Sequence, residues 1–338
     1  MHINILMATF LSTFWGMYIA QSVVHSFVAA IIAEGAIFAW KVRTPQVKQW
    51  FRFIVISLPL ILYPAYQLIS SDRGNIYFRI SSLLDTNRWF LIERWGLLPI
   101  FLLFFAILLF SAIVFILQEL VPILSHLAGQ TRTGDQSINN NADHAINKKV
   151  LKAIDGLPVD ARIIEIFDDD DLALYSSTGL KPMIHISTGL IKSFGVEHLQ
   201  VAIAHEIAHI HRSRRPMLIF AYLLRVLLFF NPVAAIEFRR LAYEEEKVCD
   251  DMAIALTGKP AILSEAIEML RPEPEDFGTG ETGNAADRLV STIEHYGHDA
   301  LLKSRAARIG RYDGHESLWG VPVIVASVFI IVINYFIV

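Results

Sequence analysis

The sequence predicts an α+β protein, in which a multi-span helical membrane part carries one extramembrane domain built from a small sheet and helices. Apolar residues make up 54% of the 338 residues and charged residues only 18%, a balance that soluble domains rarely reach. The apolar residues are concentrated in a few long runs, as in membrane spans. Between the third and fourth runs, short strand-like segments are followed by helical ones.

Four apolar runs are long enough to span a bilayer. They cover about Ile3 to Trp40, 53–70, 97–117 and 321–338. We therefore predict three transmembrane helices within residues 1–127 and a fourth within 318–338. Residues 128–148 are polar and rich in Asn and Gly, which predicts a linker between the third span and the extramembrane domain.

The distribution of basic residues predicts the orientation of these spans. Nine Lys and Arg residues flank the side that contains the 41–52 loop and the 126–316 region, and four flank the other side. Basic residues favour the cytoplasmic side of a membrane. We therefore expect residues 126–316 in the cytoplasm and both termini outside.

A further apolar segment, residues 216–238, is nearly long enough to cross, but Arg225 and the Asn231-Pro232 pair interrupt it. Two interpretations stay open. The segment is either a buried helix of the cytoplasmic domain or a helix that dips into the membrane without crossing it. A complete crossing would place the residues after 238 on the opposite side of the bilayer from the two histidines of the motif described below.

The cytoplasmic region shows a recognisable order of elements. Strands are predicted at 161–167, 173–177 and 182–187, with a solvated acidic turn at 168–171 between the first two. Pro182 suits the start of an edge strand, because proline cannot donate to a neighbouring strand. Gly195 divides the following helical stretch into two helices, and 237–256 reads as a strong helix. We place a domain at 149–270, then a flexible acidic loop at 271–286 and a helix near 287–309 within 271–317.

Composition also excludes some classes of function. A net charge of −4 gives no basic surface for nucleic acid. Cys249 is the single cysteine, so an internal disulfide is excluded.

The segment AIAHEIAHIHRS, residues 202–213, contains the pattern H-E-x-x-H at His205, Glu206 and His209. On a helix, residues four apart share one face, so two imidazoles can bind one ion. Glu206 lies beside the first histidine, where it can accept a proton from a metal-activated water. This spacing predicts a catalytic zinc site.

A catalytic zinc needs a third protein ligand and one open position. The helix that contains EEEKVCDD offers Glu244, Glu245, Glu246, Cys249 and Asp250, and composition alone leaves the choice open. Glu246 and Asp250 are four residues apart, so Glu246 could hold the metal while Asp250 accepts a hydrogen bond from a ligand histidine. Cys249 is a rival ligand.

The run from His205 to Asp250 resembles the membrane metallopeptidases of the BlaR/MecR type. Their pattern joins H-E-x-x-H, a hydrophobic helix that ends in F-N-P, and E-x-x-C-D; this chain has Phe230-Asn231-Pro232 and then Glu246-x-x-Cys249-Asp250. The chain is similar more distantly to the HtpX and CaaX prenyl-endoprotease type. No penicillin-binding domain follows the fourth run in this sequence, so we expect either a sensorless relative or a chain that has lost that domain.

The resemblance implies a gluzincin-like zinc metallopeptidase domain in a bacterial inner membrane, with one Zn²⁺ per chain. By the resemblance the metal ligands are His205, His209 and Glu246, Glu206 is the base, and Asp250 supports a ligand. The expected function is hydrolysis of peptide bonds in a regulatory or membrane protein, with regulated self-cleavage as a third option. The alternative is a signal-transducing adaptor without catalysis, whose zinc is structural.

Substrate contacts can be predicted only in outline. The oxyanion could be stabilised by Tyr243, Arg239 or Arg240, among which the sequence does not choose. We expect a peptide to pair with the strand formed by Met183, Ile184, His185, Ile186 and Ser187. The expected partners are a protein or peptide substrate and the lipid bilayer, together with a second copy of the chain or a separate sensor subunit.

Overall fold

The computed structural model describes residues 13–69, 100–121, 144–177, 181–213, 216–270, 300–310 and 320–336. The helices are α1 Phe14–Ala39, α2 Pro45–Ile69, α3 Ile100–Phe115, α4 His144–Ala153, α5 Thr188–Ser193, α6 Val196–Ser213, α7 Pro216–Leu227, α8 Pro232–Thr257, α9 Pro260–Met269, α10 over 300–309 and α11 Val321–Phe336. The strands are β1 Ile164–Phe167, β2 Leu174–Ser177 and β3 Met183–Ser187.

The chain divides into two compact units. The first comprises Met1–Asp135, Pro216–Glu245 and Glu316–Val338; the second comprises Gln136–Arg215 and Glu246–His315. The boundary falls within α8, after Glu245. This grouping differs from the predicted domains, because residues 216–245 belong with the apolar helices and not with the predicted 149–270 domain. The helix at 300–309 belongs to the second unit.

In the first unit, apolar helices enclose a core of small and branched side chains. Ala29 and Ala33 of α1, Phe51 and Val55 of α2 and Ile330 of α11 are fully buried together. The Thr13 hydroxyl caps α1 by accepting a hydrogen bond from the Gly16 amide at 3.1 Å. A π-helical turn, Ile116–Leu120, continues α3.

The predicted spans agree with the positions of these helices but not with every boundary. Residues 41–52 were expected to be a loop, yet α2 begins at Pro45, whose fixed φ suits the first turn of a helix. Among the described helices, α1 is the one long and apolar enough to cross a membrane; the apolar stretches 105–115, 217–227 and 321–335 are shorter. All four spans therefore stay predictions, and the 71–96 loop lies outside the described residues.

The second unit holds a three-stranded mixed sheet with the order β1-β3-β2. β3 pairs in parallel with β1 and antiparallel with β2. The small sheet and its helices confirm the predicted α+β class for this region. The predicted linker extends too far at its end, because α4 begins at His144. Residues 128–143 of the predicted linker lie outside the described residues.

Helix α6 forms the centre of the second unit. Leu199, Ile203 and Ala204 are fully buried in the core, which explains why this helix is apolar on the face opposite the histidines. The break predicted at Gly195 is confirmed, since α5 ends at Ser193 and α6 begins at Val196. The 271–286 loop lies outside the described residues.

Candidate metal centre

Helix α6 brings the two motif histidines together. His205 and His209 are one turn apart, and their Nε2 atoms lie 3.1 Å from each other. The buried residues of the opposite face fix the rotation of α6 about its axis. Both imidazoles therefore point away from the core, toward one small volume.

The third group comes from α8. Glu246 Oε2 lies 3.4 Å from His205 Nε2, and Glu246 Oε1 lies 3.4 Å from His209 Nε2. One ligand atom from each of these three residues lies within 4.8 Å of the other two, a spacing that could hold a metal ion. The structure therefore brings together the three residues predicted as ligands.

This donor set fits zinc. Imidazole nitrogens and carboxylate oxygens bind Zn²⁺ at about 2.0–2.2 Å, so tetrahedral geometry separates neighbouring ligand atoms by roughly 3.3 Å. The observed separations of 3.1 and 3.4 Å need little side-chain movement to reach that value. Three protein ligands also leave a fourth position open, as a catalytic site requires.

Asp250 occupies the place expected of a residue that supports a ligand. Its side chain is fully buried, and Oδ1 lies 3.1 Å from His205 Nδ1. The two groups are close enough for charge pairing, although the contact is not aligned as a hydrogen bond. Asp250 therefore contacts the ring nitrogen that faces away from Glu246.

Cys249 does not lie with the ligand atoms. Its thiol is fully buried and its Sγ lies 3.5 Å from His209 Nδ1. That nitrogen is on the side of the ring opposite Nε2, which faces Glu246. The geometry therefore favours Glu246 over Cys249 as the third ligand and gives Cys249 a contact that orients the His209 ring.

Arg305, on α10, is a member of the site that sequence reasoning missed. Its Nε and Nη2 atoms donate to Asp250 Oδ2 at 3.0 Å and Oδ1 at 2.6 Å, and Nη1 lies 3.0 Å from Glu246 Oε2. The sequence showed it only as one of several basic residues before the last apolar run. No local spacing links it to a carboxylate 55 residues earlier in the chain.

This cluster shifts the proton affinities of its members. Burial alone lowers the pKa of His205, but contacts with Asp250 and Glu246 outweigh burial and raise the pKa to about 9. Burial raises the pKa of Glu246, but hydrogen bonds from His205 and His209 hold it well below its ordinary value. The pKa of Asp250 is also lowered, because His205 and Arg305 outweigh its burial.

A cavity of about 500 Å³ opens beside the cluster. His205, His209, Glu246, Arg305 and the motif carboxylate Glu206 line its polar side. Its apolar side is formed by Leu172, Leu174, Ala202, Leu263, Ala266, Ile267, Leu270 and Leu302. A volume of this size is typical of a ligand-binding pocket, and Glu206 faces the same space as the ligand atoms.

The predicted substrate strand is wrong. β3 is the central strand and pairs on both sides, so Met183, Ile184, His185, Ile186 and Ser187 cannot accept a further strand. His185 instead pairs with Glu165 at 2.8 Å and stacks on Tyr175. Among the described strands, β2 pairs on one side only, and its residues Leu174, Tyr175 and Ser176 line the cavity.

The residues predicted to stabilise an oxyanion lie on the part of α8 that belongs to the first unit. Arg240 donates to Glu34 at 2.6 Å and to Glu237 at 2.8 Å within that unit. The cavity around the histidines is lined by residues of the second unit. A role for Arg240, Arg239 or Tyr243 therefore stays a prediction.

Comparison with known families matches the region that contains His205, His209 and Glu246. Residues 100–261 match the family model described as BlaR1 peptidase M56. This match confirms the predicted resemblance to BlaR/MecR-type metallopeptidases over these residues. No curated protein and no solved structure shows a significant match to the chain.

Proposed function

We propose that this BlaR/MecR-type family member is a membrane-embedded zinc endopeptidase that cleaves a protein substrate on the cytoplasmic side of the bacterial inner membrane. The observation that carries the proposal is the convergence of His205, His209 and Glu246 within 4.8 Å, with Glu206 lining the same cavity. A purely structural zinc would have no use for an open cavity with a carboxylate on its wall.

The site residues divide the work of peptide hydrolysis. A zinc ion held by His205, His209 and Glu246 would supply Lewis acidity toward the scissile carbonyl and an attacking water. Glu206, on the wall of the same cavity, would accept a proton from the attacking water and deliver it to the leaving amine nitrogen. Asp250 orients His205 through its contact with Nδ1, and Arg305 helps to keep Asp250 ionised.

The cavity walls indicate how a peptide would bind. We infer that it adds to the open edge of β2, where main-chain hydrogen bonds would hold it in an extended conformation. The apolar wall that includes Leu263, Ile267 and Leu302 would then receive a bulky apolar side chain of the substrate. This favours a substrate with an exposed extended segment that contains such a residue.

The substrate itself is a proposal at the level of class. A cytoplasmic regulatory protein and a membrane protein are both candidates, and self-cleavage within residues 271–286 is a third option. We further propose that both termini lie outside, and that sensing comes from a second copy of the chain or a separate subunit.

The test compares Glu206→Gln with Glu197→Gln in the purified full-length protein. Glu197 is a matched control, because it is on the same helix but pairs with Lys259 at 2.7 Å, outside the cavity. Proteolysis of a casein-type substrate should be chelator-sensitive in the wild type and the control and absent in Glu206→Gln, with one zinc retained in each.

Two outcomes would contradict the proposal. Unchanged cleavage by Glu206→Gln would remove Glu206 as the base. Bound zinc without any proteolysis in wild-type protein, across casein and native membrane extracts, would favour the non-catalytic adaptor.

A further inference from the structure

Residues 216–238 form a helical hairpin in the first unit. Helix α7 and the start of α8 pack side by side: the rings of Tyr222 and Phe238 lie 6.0 Å apart, and Ala221, Leu224 and Leu241 share one buried cluster. Helix α7 has 12 residues, so it is about 18 Å long at 1.5 Å per residue. A bilayer core is about 30 Å thick, so α7 cannot cross it.

The hairpin has its polar groups inside and its apolar groups outside. Arg225 is 1% exposed, and its guanidinium lies 4.8 Å from the centre of the Phe115 ring. The exposed face of the hairpin consists of large apolar residues: Ile219, Phe220, Leu223, Val226, Leu227, Phe229 and Ile236. A surface helix of a water-soluble domain has the opposite distribution, whereas a charged residue that faces the protein interior is typical of a membrane segment.

The apolar face continues onto α2. Trp50 and Phe53 of α2 join Met217, Phe220 and Leu223 around a shallow groove of about 460 Å³ whose surface is almost entirely apolar. The exposed faces of α1 and α11 are apolar as well, with Phe27 and Ile31 on α1 and Val328 and Phe329 on α11. The outer face of α7 is therefore one part of a larger apolar surface of the first unit.

The turn between the two helices has its polar groups paired inside the protein. The Asn231 amide donates to Leu228 O at 2.8 Å, and the Asn231 side-chain oxygen accepts from the Val233 and Ala234 amides at 3.0 and 3.3 Å. The Asn231 side-chain nitrogen donates to Ser26 Oγ on α1 at 2.9 Å. Pro232 has no amide hydrogen to satisfy. A helix break can lie at membrane depth only if its backbone groups are paired in this way.

We propose that residues 216–238 form a re-entrant hairpin within one leaflet, with lipid acyl chains covering the outer face of α7 and its groove. The Phe230-Asn231-Pro232 turn is the deepest point, and the chain returns along α8 to the side from which it entered. This rests on the proposed membrane location. It adds that the chain enters the bilayer after α6, which carries His205 and His209, and leaves it before Glu246.

The test measures lipid and water access along the hairpin. Single cysteines carrying a spin label are placed at Ile219, Leu223, Leu227 and Ile236 in full-length Cys249→Ala protein, reconstituted in phosphatidylcholine and phosphatidylglycerol bilayers. Collisions with oxygen report lipid, and collisions with a water-soluble nickel chelate report solvent. Phe329 of α11 is the lipid reference and Tyr175 of β2, 52% exposed, is the water reference.

The expected result is oxygen access at Ile219, Leu223 and Leu227 like that at Phe329, with depth increasing toward Leu227 and decreasing again at Ile236. Nickel access like that at Tyr175 would overturn the proposal. Depth that keeps increasing through Ile236 would indicate a crossing, and low access to both reagents with label-to-label broadening would indicate that a second copy covers the face; both also overturn it. Nickel access at Phe329 itself would instead contradict the proposed membrane location.

Discussion

Replacing Arg305 by glutamine tests whether the metal centre depends on the residue that sequence reasoning missed. The guanidinium makes three charge-assisted contacts, two with Asp250 at 3.0 and 2.6 Å and one with Glu246 at 3.0 Å. The Arg305 side chain is 11% exposed and that of Asp250 is 0% exposed. Water has little access to replace the contacts with Asp250, whereas the side chain of Glu246 is 35% exposed.

The size of the effect follows from that burial. Removing one partner of a buried ion pair costs about 3–5 kcal/mol, because the other charge stays buried. Here Arg308 lies 3.9 Å from Asp250 and compensates part of the loss, so we expect about 3 kcal/mol in the metal-free protein. Loss of a residue that supports metal ligands weakens metal binding by about 10–100-fold, and we expect that range for zinc.

An opposing effect is the repulsion between Arg305 and a bound cation, which its removal would relieve. This repulsion is small, because Asp250 and Glu246 together carry more negative charge than the single guanidinium cancels. The support given to Glu246 and Asp250 should therefore outweigh it.

The assay is zinc competition against a chromophoric chelator in full-length protein, together with thermal unfolding of the metal-free form. Arg308→Gln is the matched control, because Arg308 is on the same helix and pairs with Asp251 at 2.8 Å. It should lose stability but lose less zinc affinity than Arg305→Gln, because its distance to Asp250 is 3.9 Å, against 2.6 Å for Arg305. Arg305→Lys should recover affinity only in part, since one ammonium cannot bridge both carboxylates.

Two results would refute this reasoning. Zinc affinity in Arg305→Gln equal to or tighter than in the wild type would mean that repulsion outweighs support. An equal loss of affinity in Arg308→Gln would mean that Arg305 acts only by docking α10.

Two further predictions concern the second unit. The pKa of His205 in the metal-free protein is raised from 6.5 to about 9, so zinc must displace a proton below pH 9. Zinc affinity measured by the same competition should rise by about tenfold per pH unit between pH 7 and 9 and then level off. The stability that protonated His205 gives the metal-free form is full below pH 6.5 and lost as pH rises through 9; a flat affinity profile would contradict both. Gly189→Ala should destabilise by about 1–3 kcal/mol, since the new Cβ would lie 2.1 Å from the Asp170 carbonyl oxygen. Gly35→Ala, whose Cβ meets nothing within 4 Å, is the control in thermal unfolding, and equal melting temperatures would contradict the clash.

The core of the candidate site could be predicted because its information is local. His205 and His209 are on one helix, so helical periodicity alone places their rings together. Glu246 and Asp250 are likewise four residues apart on one helix, and the resemblance supplied the choice of ligand. Helical periodicity places each pair of side chains on one face of its helix, and the fold then only has to bring the two helices together.

Arg305 and the strand order could not be predicted, because they depend on contacts between distant segments. Pro182 suggested an edge strand, but it lies one residue before Met183, where β3 begins, so its missing amide hydrogen leaves the ladder intact. β3 is central because it pairs in parallel with β1 on one side and antiparallel with β2 on the other. For 216–238, an apolar sequence alone fits both a buried helix and a lipid-facing one. The lipid-facing proposal rests on the burial of Arg225 beside exposed apolar neighbours.

A last prediction concerns the charged cluster of the first unit, where burial decides which of two carboxylates matters. Arg52 pairs with Glu34 at 2.6 Å and with Glu237 at 3.0 Å; the side chain of Glu34 is 44% exposed and that of Glu237 is 2% exposed. Water can replace the contact of an exposed carboxylate, so Glu34→Gln should cost about 0–1 kcal/mol although its contact is the shorter. Glu237→Gln leaves the largely buried Arg52 with less compensation and should cost about 3 kcal/mol. Thermal unfolding of both variants in one detergent checks this. If Glu34→Gln proves the more damaging, distance and not burial governs these pairs, and the same argument fails for Arg305.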